Sequence, residues 1–225
     1  MELGSIVGYE LSDESNNYSF PTFFYNSKGK KFYFKSMSLE VGSVNYVMGE
    51  RKTGKSLFLK SLTGLEYPDE KPVDRKFLKY DIVYKPEFIV PRYNGTLEDL
   101  IKLRKLDNNV NFIQNFQILG LNNCLKKHLK ELDDEQKQLL SFLLLLSTEG
   151  LIYIMDCPSY LISIEKRRKM LKIFKNYCEK NGKIGLITEE SEDLVKEIFD
   201  GLNDTKYLIK KFGENEFYGG NSIIN

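Results

Sequence analysis

Eight consecutive residues constrain this chain more than any others: Gly49-Glu50-Arg51-Lys52-Thr53-Gly54-Lys55-Ser56. They follow a strand-like run, Val44-Asn45-Tyr46-Val47-Met48, and lead into a stretch from Lys55 to Gly64 that patterns as a helix. Strand, glycine-bearing loop and helix form the setting in which G-x-x-x-x-G-K-[ST] has a physical meaning. Glycines let the backbone curl until its N–H groups converge on phosphate oxygens. The helix that follows points its positive end at the anion. Lys55 is the cation for the β- and γ-phosphates, and the Ser56 hydroxyl is a hard oxygen suited to Mg²⁺. Ordinary residue frequencies produce the fixed positions in roughly one chain in a hundred of this size, and the strand–helix setting narrows that further. Gly49 to Ser56, with Leu57 beside them, are therefore expected to bind nucleotide. The alternative is a lysine-rich surface turn.

A second nucleotide element is expected about one hundred residues on. Leu151-Ile152-Tyr153-Ile154-Met155 is a continuous apolar run, the mark of a parallel strand buried on both faces, and it ends in Asp156. A carboxylate there is how phosphate-loop proteins hold magnesium, so Ser56 and Asp156 are the first metal candidates.

The rest of the chain supplies the frame. Met1 to Asn17 reads as a tail or an extra edge segment. Phe20 to Val47 alternates aromatic and β-branched residues between turns, as strands do. Ile82-Val83-Tyr84 is a further short strand. Leu97, Leu100, Ile101 and Leu103 recur at helical spacing, and Leu139 to Leu146 reads as a buried helix. Ile164 to Lys180 is an amphipathic helix with Met170, Ile173, Phe174 and Tyr177 on its apolar side. Ile184 to Thr188 is a buried strand, Glu192 to Phe199 a helix and Lys206 to Lys210 a last strand. Strands and helices in alternation predict an α/β fold with a mixed sheet. Residues of about 95 to 147 form an inserted helical subdomain, and 18 to 225 make one nucleotide-binding domain.

Composition excludes several classes. With 41% hydrophobic and 29% charged residues the chain has the balance of a soluble globular protein. No apolar run reaches the roughly 18 residues of a membrane span, and no signal peptide is legible, so a cytoplasmic protein with no membrane partner is expected. Three scattered cysteines and a single histidine cannot build a usual zinc site or a histidine-based triad. Net charge is +1, so contact with nucleic acid would need a local basic patch.

These motifs lie in a wider pattern that resembles the ABC-type ATPase domains, most of all the second nucleotide-binding domain of the ribosome-recycling (RNase L inhibitor) family. Tyr18-Ser19-Phe20-Pro21 resembles that domain's opening. Leu62-Thr63-Gly64 with Pro68-Asp69-Glu70 resembles its "LAG…PDE" stretch. Val83-Tyr84-Lys85-Pro86-Glu87, with Pro91 and Asn94-Gly95-Thr96-Leu97, resembles "SYKPQ…P…GTV". Asp156-Cys157-Pro158-Ser159 and Glu165-Lys166-Arg167 resemble "DEPSAYLDxEQR". The resemblance covers about residues 18 to 218. It implies a P-loop ABC nucleotide-binding domain with ATP or ADP and Mg²⁺ as ligands, and Glu87, at the Q-loop position, as a further metal candidate. It also implies a ribosomal partner. Phe20, with Tyr18 beside it, is either the adenine-stacking aromatic of that family or a core aromatic. The family's iron–sulfur domain and second ATPase domain are not expected in this sequence.

The departures fall on the positions that carry hydrolysis. Cys157 stands where the family has the catalytic glutamate, Glu87 replaces the Q-loop glutamine, Glu189 the switch histidine and Ser163 the D-loop aspartate. No residue is assigned a catalytic role. Loss of a general base costs on the order of 10² to 10⁴ in rate. The signature motif reads Leu132-Asp133-Asp134-Glu135-Gln136. Two unit charges about 4 Å apart repel by roughly 4 kcal/mol at an effective dielectric near 20, so an acidic run facing a triphosphate disfavours an ATP-sandwiched homodimer. Lys166, Arg167, Arg168 and Lys172, with Lys169 and Lys175, crowd one helix. That cluster is either a patch for ribosomal RNA phosphates or a solvated helix face. Two functional readings stay open: a ribosome-associated translation factor that binds nucleotide with little hydrolysis, as inhibitor or dormancy factor, and an ATPase subunit that pairs with a competent ABC partner.

Overall fold

The computed structural model describes residues 17–20, 23–27, 30–34, 37–48, 54–63, 82–87, 93–158, 161–189 and 206–208. Its strands are β1 (Asn17–Phe20), β2 (Phe23–Ser27), β3 (Lys30–Phe34), β4 (Met37–Glu40), β5 (Val44–Met48), β6 (Ile82–Lys85), β7 (Ile152–Met155), β8 (Ile184–Glu189) and β9 (Lys206–Leu208). Its α-helices are α1 (Lys55–Leu62), α2 (Leu97–Leu103), α3 (Val110–Ile118), α4 (Asp134–Leu146) and α5 (Ile164–Asn181).

Five strands form one sheet in the order β6-β7-β8-β5-β9, every neighbouring pair parallel. The expected mixed sheet is thus resolved into separate pieces. The core sheet is parallel throughout its described strands, and antiparallel pairing is confined to the β1–β4 and β2–β3 ladders. Asn17, the last residue of the expected tail or edge segment, pairs with Glu40 at the start of β1.

Parallel strands need cover on both faces, and the burial agrees. All four residues of β7 are buried, as are Val44, Asn45, Tyr46 and Val47 of β5. Asn45 is tolerated there because its amide donates to Ser43 Oγ and to the Gly185 carbonyl, both at 3.1 Å. The buried side of α5 is Met170, Leu171, Phe174 and Cys178, with Ile173 and Tyr177 partly buried beside them. This helix stops at Gly182, whose left-handed φ of 58° costs a glycine little.

Helix α4 starts five residues before its apolar run. Asp133 and Gln136 cap it reciprocally, side chain to backbone in both directions. A polar first turn carries no apolar periodicity, so the leucines alone misplace its start. The helix lies against β6, α3 and α5, and α5 lies against β8. The expected helix at 192–199 and the strand's last residues at 209 and 210 lie outside the described residues, as does 1–16.

Gly185 of β8 marks close packing between the sheet and α5. A Cβ placed there would lie 2.7 Å from the Phe174 ring and 2.9 Å from Val44 Cγ2. Gly185→Ala is therefore expected to destabilise the fold by about 1–3 kcal/mol through overpacking, read as a lowered urea midpoint with an unchanged m-value.

Candidate nucleotide site

Because β5, β6, β7 and β8 run parallel, their C-terminal ends share one edge of the sheet. That edge is where open α/β sheets place ligands. β5 leads toward α1, whose first residue is Lys55, and Gly54 before it has φ 97°, a conformation natural to glycine. The Gly54 carbonyl accepts the Phe58 N–H at 2.8 Å, which locks the first turn. Lys55 is 8% exposed, Leu57 is half-buried and Ser56 is exposed. Gly49 to Thr53 lie outside the described residues. Phe20 is described only as backbone, in β1.

Asp156 follows β7 and is 3% exposed. Its N–H donates to the Lys85 carbonyl at 2.9 Å, extending the β6–β7 ladder by one residue. The Thr188 hydroxyl donates to Asp156 Oδ1 at 3.0 Å and accepts the Cys157 N–H at 2.6 Å. The Tyr84 hydroxyl makes a long 3.5 Å contact with Oδ2. Burial, and then the neighbouring Asp156 charge, push the Tyr84 phenol far above its ordinary value, so it stays a donor. Cys157, half-buried, has a positive φ of 41°, a strained angle held by that Thr188 bond.

Lys85 ends β6 with 2% exposure. Its ammonium donates to Gln138 Oε1 at 2.6 Å and to the Pro86 carbonyl at 3.3 Å. Burial lowers its pKa to about 8, against the opposing pull of Asp156, Cys157 and Glu87. Gln138 Nε2 donates to the Glu87 carbonyl at 2.6 Å, so this amide holds the segment that carries Glu87. Glu189 closes β8 opposite Met48. The structure thus brings the ends carrying Lys85 to Glu87, Asp156, Cys157 and Thr188 to one edge.

The donor set suits magnesium. Asp156 keeps a free lone-pair site on each oxygen beside its present partners, and Mg²⁺ is commonly held by one or two carboxylates together with substrate phosphates. Among the described residues no group of three or more acidic, histidine or cysteine side chains is placed to hold a metal ion.

The remaining candidates lie elsewhere. Ser163 precedes α5 and its N–H donates to Glu135. The helix cluster is not one open basic face. Lys166 is paired with Glu135 at 2.7 Å, Lys169 with Glu165 at 2.6 Å, and Lys175 is buried with Glu179 at 3.5 Å. Arg167 and Arg168 are half-buried and Lys172 is exposed. The acidic signature is likewise occupied: Asp133 caps α4, Asp134 contacts Lys137 at 3.4 Å and Glu135 is held by Lys166. Like-charge repulsion therefore acts on carboxylates already neutralised in part. Sequence reasoning missed Gln138 and assigned no role to Thr188, Tyr84 or Lys85. A lysine closing the otherwise apolar strand Ile82-Val83-Tyr84-Lys85 was the available signal.

No known protein-family profile matches the chain. An uncharacterized ABC transporter ATP-binding protein of Methanocaldococcus jannaschii is 26% identical over 185 residues, 82% of this chain and 30% of that protein. The translation initiation factor RLI1 of Saccharomyces cerevisiae is 28% identical over 146 residues, 64% of this chain and 24% of that protein. Among solved structures, the archaeal ribosome recycling factor aABCE1, in complex with the ribosomal stalk protein aP1, matches 96% of this chain and 41% of its own length with a TM-score of 0.75 at 23% identity. An ATP-binding cassette of an ABC transporter in its ADP conformation matches 85% of this chain and 86% of its own with a TM-score of 0.63 at 16% identity. The fold is that of an ABC nucleotide-binding domain, and its relatives are ABC ATPase domains. The chain spans under a third of the length of either curated relative.

The buried Lys85 gives a pH signature. An unfolded lysine titrates near 10.4, whereas the folded one releases its proton near 8. Between these values the unfolded chain binds more protons, so stability rises with pH there. Below about 8 the charged, buried ammonium is a constant cost, at most on the order of 3 kcal/mol. Urea midpoints at pH 7.5 and 10, compared between wild type and Lys85→Met, should show this rise in wild type and its loss in the variant.

Proposed function

We propose that this chain is a ribosome-associated translation factor, built on an ABC domain that binds ATP or ADP with Mg²⁺ and hydrolyses it little or not at all. It acts by occupancy, as an inhibitor or dormancy factor, in the cytoplasm. The observation that carries this reading is the split at one sheet edge. Lys55 follows β5 and Asp156 follows β7, strands that flank β8 in the parallel sheet, while the position after Asp156 holds a thiol. Gly49, Glu50, Arg51, Lys52, Thr53 and Gly54 are the phosphate-loop sequence, and Ser56, Asp156 and Glu87 would hold the metal. Mg²⁺, when bound, would neutralise the phosphate oxygens.

Cys157 puts a thiol, in place of a carboxylate, at the position after Asp156. Its N–H is tied to Thr188 and its backbone has a positive φ. The ribosomal partner is supported by relatives described as a translation initiation factor and a ribosome recycling factor. Contact with RNA phosphates falls to Arg167, Arg168 and the exposed Lys172, since Lys166 is engaged with Glu135. Among the described residues no helix is long and apolar enough to cross a membrane. The second reading, a subunit pairing with a competent ABC partner, is supported by likeness to the transporter-type protein of M. jannaschii.

The test is one preparation carried through three measurements. A fluorescent ATP analogue with Mg²⁺ should bind saturably, and Lys55→Ala should weaken it at least about tenfold, the scale of one lost charge-assisted bond. Steady turnover should stay far below the 1–10³ s⁻¹ of ordinary enzymes. In native lysate the chain should sediment with ribosomal particles at about 50 mM salt and leave them steeply by about 200 mM. Reversal of Arg167, Arg168 and Lys172 to glutamate should weaken sedimentation and spare nucleotide affinity. Ordinary turnover, or co-purification with another ABC subunit instead of ribosomes, gives the second reading its place.

A further inference from the structure

The N-terminal end of α4 carries N–H groups with no helical partner, and the family resemblance places a phosphate-facing motif there. This chain fills that end itself. The Asp133 carboxylate accepts the Gln136 N–H at 2.7 Å, and the Gln136 side-chain oxygen accepts the Asp133 N–H at 3.2 Å. Glu135 reaches across to α5: Oε1 accepts the Ser163 N–H at 2.8 Å and Oε2 accepts the Lys166 ammonium at 2.7 Å. Ser163 immediately precedes the first turn of α5, so the carboxylate sits at that helix's positive end. Burial pushes the Glu135 carboxyl up, but the hydrogen bonds from Lys166 and Ser163 outweigh it and hold the pKa down to about 2. The contact is thus charged across the physiological range. Gln138, three residues along and 3% exposed, lies on the same helical face. It ties α4 to the end of β6 through Lys85 and the Glu87 carbonyl.

We propose that Glu135 and Gln138 form a two-point latch that pins α4 to α5 and to the end of β6. The helix then keeps its position when nucleotide occupies the Lys55–Asp156 edge, and its N-terminal end is closed to phosphate by the chain's own carboxylates. This deepens the nucleotide-binding reading above and rests on it. Two independent ties matter because either alone leaves a pivot. Gln138 fixes the helix beside the sheet, and Glu135 fixes its rotation toward α5. A latched helix also explains why an acidic signature is compatible with a stable fold: its charges serve internal donors.

The experiment is amide hydrogen exchange on the full-length chain, with and without Mg–ATP, at a nucleotide concentration shown to saturate the analogue signal. In wild type the Ser163 amide and the first turn of α4 should exchange at the same rate in both conditions, within about twofold. In Glu135→Ala the Ser163 amide should exchange at least about tenfold faster, since its acceptor is gone, and the α4 turn should become nucleotide-sensitive. Lys166→Met keeps the Ser163 acceptor and should give a smaller acceleration, so a misfolded alanine variant does not decide the matter alone. A Ser163 amide indifferent to both substitutions overturns the latch whether or not nucleotide binds. Nucleotide-dependent exchange in wild-type α4 overturns it while leaving the binding reading intact. Absence of saturable binding refutes the reading of the site and, with it, the nucleotide part of the proposal.

Discussion

A carboxylate almost wholly withdrawn from water must be compensated, and the compensation of Asp156 organises everything at this edge of the sheet. Its partners come from the two parallel strands that flank β7. Lys85 receives its N–H from β6, Tyr84 contacts Oδ2 from the same strand, and Thr188 donates to Oδ1 from β8. Each partner reaches it only because those strands end in register, with Lys85 beside Met155 and Thr188 beside Val47. A one-residue slip of β8 would turn Thr188 to the opposite face and leave a buried charge short of a donor, at a cost of about 1–3 kcal/mol or more. The polar requirement of one side chain thereby fixes the alignment of strands whose apolar residues, buried on both faces, would pack almost equally well in either register.

The parts of the fold legible in the sequence are those where a single period or run carries the message. Leu151 to Met155 and Ile184 to Thr188 announced buried parallel strands, and Ile164 to Lys180 announced its helix to within a residue of the observed end. The phosphate-loop pattern pointed to Lys55 and Ser56, and the apolar strand before it to Asp156. What escaped the sequence were contacts between residues distant along the chain. Thr188 lies 32 residues from Asp156, and Gln138 lies 53 from Lys85. Neither type is unusual at the end of a strand or within a leucine-rich helix, so no local signal separates them from surface polar residues. The basic cluster at 166–175 was legible only as a count of charges. Charge count along a helix does not reveal that one lysine is claimed by a glutamate on another helix and that a second is buried.

The acidic turn of α4 shows how context reverses the meaning of a motif. Read linearly, Asp133-Asp134-Glu135 is a run of negative charge where a triphosphate would approach. In the folded chain the first carboxylate satisfies a backbone N–H of its own helix and the third satisfies one of the next helix. Negative side chains are favourable at a helix N-terminus, so the acidic turn supplies two caps, one to α4 and one to the start of α5.

On the proposed reading, nucleotide binding at this edge draws on a phosphate loop, a cation and a buried carboxylate from α1 and the ends of β5 and β7. Turnover would need in addition a group able to take a proton from water, a place that the family resemblance assigns to the residue after Asp156. Cys157 occupies that place with its backbone held by Thr188, so the geometry that keeps Asp156 correctly oriented also fixes the thiol. The thiol lies within the field of the Lys85 ammonium, which is itself tied to α4 through Gln138. A domain in which the binding carboxylate, the residue after it and α4 share one chain of hydrogen bonds is suited to hold a ligand in a single conformation.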